Sequence, residues 1–407
     1  MSETQTLAAL DLGATTVRCM VAQSYDTDTI HCIGYGEAQT DGMRRGVIVN
    51  IEKITRCISR AVEDAERMAG TPINSLLVGV AGDYVRSINS QGIVGVARSD
   101  QEITMVDVRK ALSAARNVRI PHDQEILYVI QQNFTVDGQG GVRNPIGMSG
   151  SRLEVDAHIV TCAATSARNI LRTLERCDLA LGGIALETIA AARCVITEAE
   201  EELGVAVVNL GAESTDLAVY FDGAVRYTGT IPLGGHNVTN DIAIGLRTTV
   251  EEAEKLKVSH GVAMTALTYS HDTIPTLAAD GRLNSEVSHS ALATIIEARQ
   301  EEIFTMVAQE LRRCDMLSDL TAGVTLTGSG AKLRGIVDLA ERTLKLPVKI
   351  GRPHGIENLP SALAGPTGAT IAGLALWGFE QDLAGRRHSG GMRGLMHKVE
   401  NWIAGHL

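Results

Sequence analysis

The sequence is poor in aromatic residues, with 4 Phe, 2 Trp and 7 Tyr among 407 residues. Its cores must therefore be aliphatic, and a row of aromatic rings for stacking single-stranded nucleic acid is excluded. Basic residues are also in the minority, since 37 Lys and Arg face 48 Asp and Glu, for a formal charge of −11. This balance argues against a protein that binds nucleic acid through a general basic field.

Two further absences concern cysteine pairs and long apolar segments. The seven cysteines form no Cys-x-x-Cys pair and are odd in number, which argues against a disulfide framework or a zinc site. The longest uncharged apolar stretch covers 369–379, well short of the roughly 18 residues that a spanning helix needs. The first residues carry an acid where a signal peptide needs positive charge. We therefore expect a cytosolic protein that does not cross the membrane.

The chain does contain enough apolar material for several cores. Hydrophobic residues make up 44% of it, and at roughly 150 residues per domain its length predicts two or three domains. Residues 6–22 read as two strands joined at an Asp-Leu-Gly turn, and 47–69 contain a helical pattern after the N-cap Asn50. From about 83 to 163, strand-like runs surround one helix, which predicts an inserted subdomain.

The second half of the chain repeats the opening pattern. An apolar run over 205–209 ends at Leu-Gly and returns as a strand over 217–221. Aligned on their glycines, the segments ALDLGATT and VVNLGAES share an apolar strand, an acid or amide, Leu, Gly and a hydroxyl-bearing turn. A weak internal duplication is therefore expected. A long helix over 291–313 and a strand-helix-strand pattern over 324–350 follow.

Three glycine-containing turns favour phosphate binding, because glycine permits close approach and successive amides form an anion-binding concavity. Turns at 11–17 and 209–216 follow strands, and a Gly-Ser-Gly turn at 328–330 stands between a strand and a helix. Each turn alone is usually structural. Their order and strand context predict a nucleotide site, with Asp11 and Asn209 beside a magnesium ion.

These motifs, in this order, resemble the actin, Hsp70 and sugar-kinase superfamily. Segments 41–52, 80–82, 143–150 and 231–242 look like the FtsA family of bacterial cell-division proteins. The resemblance covers almost the whole chain. It implies an α/β, actin-like (ribonuclease H-like) fold of two domains and four subdomains, with a family-specific inserted subdomain and a C-terminal amphipathic helix. It also implies that ATP and Mg²⁺ bind between the lobes.

The same resemblance implies domain boundaries and partners. The implied partners are FtsZ, further copies of the chain in filaments, other division proteins and an anionic membrane surface, with no nucleic acid. The implied units are a first actin-like subdomain (1–82, 164–202 and about 360–379), the inserted subdomain (83–163), a second actin-like subdomain (203–233 and 310–359), a smaller subdomain (234–309), a linker (380–391) and a membrane-targeting helix (392–407).

The resemblance also implies a set of site residues. Asp11 and, through water, Asn209 would hold the metal, and Glu187 would orient the attacking water, although a helix acid is more often a solvated or capping residue. For Glu254 with Lys257, an exposed charge pair is an equal alternative to a ribose contact. The implied nucleotide-binding residues are Asp11, Gly13, Ala14, Thr15, Thr16, Gly211, Ala212, Glu213, Ser214, Gly234, Gly235, Asn237, Glu254, Lys257, Gly328, Ser329, Gly330 and Lys332.

The chain departs from the FtsA pattern inside this site. FtsA proteins usually carry Asp where this chain has Asn209, Lys where it has Thr16, and a Gly-Gly-Gly-Thr-Thr run where it has 211–215. Hydrogen bonds to charged groups are roughly twice as strong as neutral ones, so Asn209 should hold a metal-bound water weakly. Asp216 is expected to lie too far along its strand to help, and Glu213 would repel a polyphosphate unless it turned outward. We predict ATP binding with slow or absent hydrolysis.

The end of the chain carries an amphipathic pattern. Its apolar residues recur at helical spacing after a polar, glycine-containing segment, and its charges are mostly basic on an otherwise acidic chain. This pattern predicts binding to an anionic membrane surface; the alternative is a terminal helix packed on its own core. The residues expected to contact lipid are Arg393, Leu395, Met396, Lys398, Val399, Trp402 and Ile403.

The leading hypothesis is an ATP-binding, actin-like filament protein that tethers the FtsZ ring to the cytoplasmic side of the inner membrane at the division site and recruits later division proteins. Two alternatives are an actin-like adaptor of the pilus-assembly type and a small-molecule kinase of the same superfold. A kinase needs a base beside an acceptor hydroxyl, and no clear candidate is evident. The terminal helix and the 231–242 motif argue against the adaptor.

Overall fold

The computed structural model describes residues 5–25, 29–97, 102–269, 271–277 and 283–388, which form nineteen strands and ten α-helices. The strands are β1 (Gln5–Leu12), β2 (Thr16–Ser24), β3 (Ile30–Gln39), β4 (Met43–Arg44), β5 (Val47–Ile48), β6 (Ser75–Val80), β7 (Val85–Gly95), β8 (Gln124–Val136), β9 (Gln139–Val142), β10 (Arg152–Ala163), β11 (Ala180–Leu186), β12 (Val205–Leu210), β13 (Thr215–Phe221), β14 (Ala224–Ile231), β15 (Thr273–Leu277), β16 (Leu283–Ser288), β17 (Gly323–Thr327), β18 (Val348–Ile350) and β19 (Ile356–Glu357). The helices are α1 (Ile51–Ala69), α2 (Met105–Arg116), α3 (Ala164–Glu175), α4 (Glu187–Ala192), α5 (Glu198–Leu203), α6 (Gly235–Leu246), α7 (Val250–His260), α8 (His289–Arg313), α9 (Ile336–Leu344) and α10 (Ala369–His388).

The first half is built on a six-stranded sheet with the order β11-β6-β1-β2-β3-β19. Strands β1, β2 and β3 are antiparallel neighbours, whereas β6 runs parallel to β1, and β11 runs parallel to β6. Helix α1 packs on β2 and β3, and α10 packs on β1, β2 and β6. Consecutive residues from Ala8 to Leu12 are buried, so both faces of the sheet are covered at β1.

The predicted N-cap of the first helix is confirmed. The side chain of Asn50 accepts a hydrogen bond from the backbone amide of Lys53 at 3.0 Å. Helix α1 begins at the next residue and buries Ile54, Ile58 and Ala61 against the sheet. The hydrophobic spacing of the sequence therefore located this helix correctly.

The second half repeats the strand arrangement of the first. Its five-stranded sheet has the order β14-β13-β12-β17-β18. Three antiparallel strands, β12, β13 and β14, again lie beside strands that run parallel, β17 and β18. The β12–β13 hairpin therefore corresponds to the β1–β2 hairpin, as the internal duplication predicted. The returning strand begins at Thr215 rather than at residue 217.

A separate four-stranded antiparallel sheet, β7-β10-β8-β9, lies between β6 and α3 in the sequence. Helix α2 packs on β7 and β10, and the core between them contains Val108, Phe134, Leu153 and Val155. Polar side chains of this sheet face β14, the edge strand of the second half. The hydroxyl of Ser87 donates to the carbonyl of Thr228 at 3.0 Å. The inserted unit is thus attached to both halves.

Helices α6 and α7, the β15–β16 hairpin and the first part of α8 form a smaller unit. They share a core that includes Val238, Ile242, Leu256 and Ile296. The later part of the 25-residue helix α8 packs instead on the second sheet, through Ile303, Phe304, Val307 and Leu311. One long helix therefore connects this unit to the second sheet.

The last described helix corrects one sequence prediction. Helix α10 continues to His388, whereas we predicted a linker over 380–391. One internal glycine, Gly385, costs a helix only about 1 kcal/mol relative to alanine, so polar composition alone does not end it. No helix among the described residues is long and apolar enough to cross a membrane. The residues expected to contact lipid, 393–403, lie outside the described part of the chain.

Candidate functional site

The end of β1 carries a buried carboxylate. Asp11 is 3% exposed and pairs with Arg18 across the β1–β2 hairpin, where Nη1 of Arg18 lies 3.2 Å from Oδ2 of Asp11. Burial raises the pKa of Asp11, and the Arg18 guanidinium opposes that rise. The hydroxyl of Thr40 donates to the carbonyl of Gly13 at 2.7 Å. This contact fixes the turn that follows Asp11.

The corresponding turn of the second half is fastened to α6. The carbonyl of Gly211 accepts a hydrogen bond from the amide of Gly235 at 3.0 Å, and the carbonyl of Ala212 accepts one from His236 at 2.7 Å. Amides in the first turn of a helix have no hydrogen-bond acceptor within the helix. The carbonyl groups of the β12–β13 turn accept these hydrogen bonds instead. The two glycine segments that we predicted as parts of the site are therefore in direct contact.

The side chain of Asn237 contacts the residue that precedes α6. Its Oδ1 accepts a hydrogen bond from the amide of Gly234 at 3.0 Å. A side chain at Gly234 would place its Cβ 2.7 Å from the carbonyl oxygen of Ala212, which is closer than Cβ atoms approach in proteins. The helix can therefore reach the turn only because glycine stands at this position.

The Gly-Ser-Gly turn lies against Asn209. Strand β17 runs parallel to β12, and Thr327 is the strand partner of Asn209. Gly328 has a φ of +81°, and an added Cβ would lie 2.4 Å from Oδ1 of Asn209. A short 3-10 turn follows, on which Ser329 and Lys332 are exposed. The structure thus brings the β12–β13 turn and the Gly-Ser-Gly turn side by side.

Three buried carboxyl groups, those of Asp11, Glu187 and Asp216, influence one another electrostatically across the junction of the two halves. Glu187 is the first residue of α4 and is 8% exposed, and Asp216 is 2% exposed. Burial raises the pKa of Glu187 well above its usual value, and the charges of Asp11 and Asp216 raise it further. The surroundings of Glu187 therefore favour its protonated form.

Asp216 corrects a sequence expectation, since we placed it too far along its strand to take part. The returning strand begins earlier than predicted, so Asp216 is the direct strand partner of Asn209. Its oxygens accept hydrogen bonds from the hydroxyls of Thr230 at 2.7 Å and Ser214 at 2.8 Å, and from the amide of Gly82. Burial raises the pKa of Asp216, and these hydrogen bonds oppose the rise. Asp216 thus connects the second half to the first.

Glu213 extends from the β12–β13 turn to the first half. Its Oε2 accepts a hydrogen bond from the backbone amide of Arg45 at 2.5 Å, and its Oε1 lies 4.0 Å from Nδ1 of His236. Arg45 stands between β4 and β5. The Glu213 side chain, 21% exposed, therefore forms a second connection between the halves, closer to the surface than Asp216.

Lys257 and Glu254 are not a simple exposed charge pair. Nζ of Lys257 donates to Oε2 of Glu254 at 2.6 Å, to the hydroxyl of Thr239 at 2.8 Å and to the carbonyl of Gly235 at 3.0 Å. Burial alone would raise the pKa of Glu254, but hydrogen bonds from Lys257 and Thr239 outweigh it and leave the pKa below its usual value. The pair holds α7 against the first turn of α6, and a contact to ribose stays a prediction.

The described residues contain no group of three or more His, Cys, Asp or Glu side chains placed to hold a metal ion. Asp11 is already paired with Arg18, and Asn209 offers only an amide oxygen. This donor set suits an ion that keeps most of its water, as magnesium does. The assignment of Asp11 and Asn209 to a hydrated ion stays a prediction.

Sequence reasoning missed three contributors to the site: Arg18, Thr230 and Gly82. A charged residue inside the apolar strand β2 was a usable signal for Arg18. No local pattern marks Thr230, because its role depends on the pairing of β14 with β13. The other predicted residues lie in the three turns: Ala14 and Thr16 are half-buried, Thr15 is exposed, and Gly330 lies against Leu210.

Comparison with known proteins decides the family. A family model described as cell division protein FtsA matches residues 206–373, and one described as the SHS2 domain inserted in FTSA matches residues 82–161. The cell division protein FtsA of Pseudomonas aeruginosa is 39% identical over 93% of this chain and 90% of its own length. The chain belongs to the FtsA family. The resemblance that we stated from the sequence motifs is therefore confirmed.

Further comparisons agree with FtsA and with an actin-like fold. The FtsA of Neisseria meningitidis serogroup B is 38% identical over 98% of this chain and 97% of its own. The PilM–PilN type IV pilus biogenesis complex has a TM-score of 0.67 at 16% identity, covering 92% of this chain and 98% of the other. MreB5 of Spiroplasma citri bound to ADP has a TM-score of 0.58 at 14% identity, covering 95% and 99%. Identities this low show the fold alone. The pilus-adaptor alternative is therefore not favoured over FtsA, two of whose members are 38–39% identical to this chain.

Proposed function

We propose that the chain is an ATP-binding, actin-like filament protein of cell division that tethers the FtsZ ring to the cytoplasmic side of the inner membrane at the division site. It would also recruit later division proteins. Membership of the FtsA family supports the role in cell division. The nucleotide part rests on the site, and the membrane part rests on the sequence of the terminal segment.

The observation that carries the nucleotide part is the contact of the Gly-Ser-Gly turn with Asn209. At Gly328 an added Cβ would lie 2.4 Å from Oδ1 of Asn209, so glycine lets the Gly-Ser-Gly turn pack directly against the end of β12. The β12–β13 turn on the other side of Asn209 is held in place by α6. Such fixed, glycine-containing turns suit a polyphosphate. MreB5, which shares the fold, has a structure bound to ADP.

Two features of the site support slow hydrolysis. A general base must accept a proton, and the raised pKa of Glu187 favours a form that has no free carboxylate to accept it. Asn209 carries no charge to hold a metal-bound water. Bound ATP with Mg²⁺ would supply the reactive phosphate, while these two residues activate water poorly. We therefore expect ATP to be hydrolysed slowly and to act mainly by regulating filament assembly.

The membrane part rests on the basic, amphipathic pattern of residues 392–407, which lie outside the described residues. One such helix binds weakly, because Gly394 and Gly405 each cost about 1 kcal/mol of helix stability relative to alanine. A filament that carries many copies would bind more tightly through effective concentration. Self-association and membrane binding would then support each other.

Replacing Gly328 by alanine tests the nucleotide part. Gly328→Ala should weaken ATP binding at least about tenfold, because the added Cβ and a strained φ both disturb the turn. Gly147→Ala is the matched control, since Gly147 has a φ of +84° and nothing within 4 Å of its Cβ position. Binding is measured by titration calorimetry on proteins whose folding is checked by circular dichroism. If Gly328→Ala binds ATP as tightly as the unmodified protein, the site assignment is wrong.

A further inference from the structure

The turn that contacts Glu213 is itself suited to an anion. Arg45 and Gly46 have φ values of +50° and +74°, the pair of positive values that a tight hairpin turn between β4 and β5 requires. Arg44 and Arg45 are both exposed on this turn. Backbone amides and arginine side chains are the groups that bind phosphate oxygens in proteins. The carboxylate of Glu213 already uses one of them, the Arg45 amide.

Both ends of the Glu213 contact are held in place by other contacts. On the first half, Gly46 lies so close to Ala81 that an added Cβ would be 2.4 Å from the Ala81 carbonyl oxygen. On the second half, the carbonyls of Gly211 and Ala212 are bound by amides of α6. Each turn is therefore fixed within its own half, and the Glu213 side chain joins the two turns.

Glu213 stands in the turn where the proposed function places the phosphates. Its side chain is 21% exposed, and its Oε2 accepts the hydrogen bond from the amide of Arg45, the residue after Arg44. Like charges held a few ångströms apart repel by about 1 kcal/mol or more, even with solvent screening. A terminal phosphate and the Glu213 carboxylate therefore disfavour each other at the Arg45 amide.

We propose that Glu213 competes with the terminal phosphate of ATP for the turn formed by Arg44, Arg45 and Gly46. This rests on the proposed function, since it assigns a regulator to the same nucleotide site. ADP lacks the terminal phosphate and meets less competition. Glu213 thereby reduces the preference for ATP over ADP, and ATP displaces the Glu213 contact from Arg45. The β4–β5 hairpin becomes the part of the first half that responds to the terminal phosphate.

The test compares Glu213→Gln with the unmodified, full-length protein. Glutamine keeps the shape and an acceptor oxygen but removes the charge. We expect ATP affinity to rise about tenfold and ADP affinity to change less than about twofold, as measured by calorimetry with Mg²⁺. Without nucleotide, the Arg45 amide should exchange with deuterium severalfold faster in the variant, because a neutral acceptor binds it less strongly. Glu63→Gln, an exposed position on α1, is the control for loss of one charge.

Each result decides the proposal. Unchanged affinities, or unchanged exchange at Arg45, would contradict it. Weaker ATP binding by Glu213→Gln would also overturn it, since the carboxylate would then be assisting the bound ion. If the unmodified protein binds neither ATP nor ADP, the proposed function itself fails and the competition falls with it. If both nucleotides bind and the variant is unchanged, only the competition is wrong.

Discussion

Nε2 of His158 lies 2.9 Å from the hydroxyl oxygen of Thr228, and its Nδ1 lies 2.7 Å from Oδ1 of Asn89. His158 belongs to the inserted unit and Thr228 to β14 of the second half. The imidazole is 1% exposed, and burial lowers its pKa to about 4. A neutral histidine is therefore part of the contact between the two units.

This contact predicts a loss of stability in mild acid. An unfolded histidine titrates near pH 6.5, so between about pH 6.5 and 4 the unfolded chain binds a proton that the folded chain does not. The free energy of unfolding should therefore fall as the pH is lowered through this window, by roughly 3 kcal/mol in total. His158→Gln should lose this dependence. Urea unfolding of both proteins at several pH values measures it, and parallel curves would contradict the assignment.

Glu187 should have the opposite effect on stability. Its folded pKa is raised, so its contribution is fully present below the unfolded pKa and is lost as the pH rises toward the folded pKa. Glu187→Gln mimics the protonated form and should be more stable than the unmodified protein at pH 8 and similar to it at pH 4.5. Thermal unfolding at the two pH values tests this. A variant that is less stable at both values would show that Glu187 is needed as a carboxylate.

Asn209→Asp should make the site depend on magnesium. A carboxylate there would lie beside buried Asp216, and an uncompensated charge in this position destabilises the fold. We expect a lower melting temperature in EDTA, recovery with Mg²⁺ and ATP, and increased ATP turnover. Phosphate release and differential scanning fluorimetry measure these effects. Brisk turnover in the unmodified protein, unaffected by the substitution, would mean that the site is wrongly assigned.

The inserted unit should form one face of the longitudinal filament contact. Val106 on α2 is 55% exposed, and α2 packs on the face of the sheet opposite to the side chains that reach β14. Val106→Glu should therefore reduce filaments on lipid monolayers, seen by electron microscopy, while ATP binding stays unchanged. Deleting residues 83–163 should eliminate filaments. Normal filaments from the deleted chain would refute this role.

Much of the fold could be predicted because it depends on local pattern. Continuous apolar runs located the sheet strands, and spacing after Asn50 located α1. The first part of β7 shows no apolar run, because Ser87 and Asn89 make it polar. Both side chains donate to carbonyls of β14, a contact between segments about 140 residues apart. No local pattern can show such a partner.

The site was predicted only in part, for the same reason. Glycine turns and Asp11 have local signatures, so the sequence identified them. Thr230 and Gly82 become site residues only when separate segments meet at Asp216. The contact of Glu213 with the first half depends on the amide of Arg45, which is distant in sequence. Residues that form a turn are neighbours in the sequence and can be recognised there. The hydrogen-bond partners of a buried carboxylate come from distant segments and cannot.

The most direct test of the central claim is co-sedimentation with anionic liposomes in the presence of FtsZ and ATP. The full-length chain should sediment with the liposomes and bring FtsZ with it. A chain without residues 391–407 should stay in solution while still binding ATP, and Trp402→Glu should behave like the truncation, because burial of one large side chain contributes about 1.5–3 kcal/mol. Equal partitioning of full-length and truncated chains, or liposomes that carry the protein without FtsZ, would contradict the proposed tether.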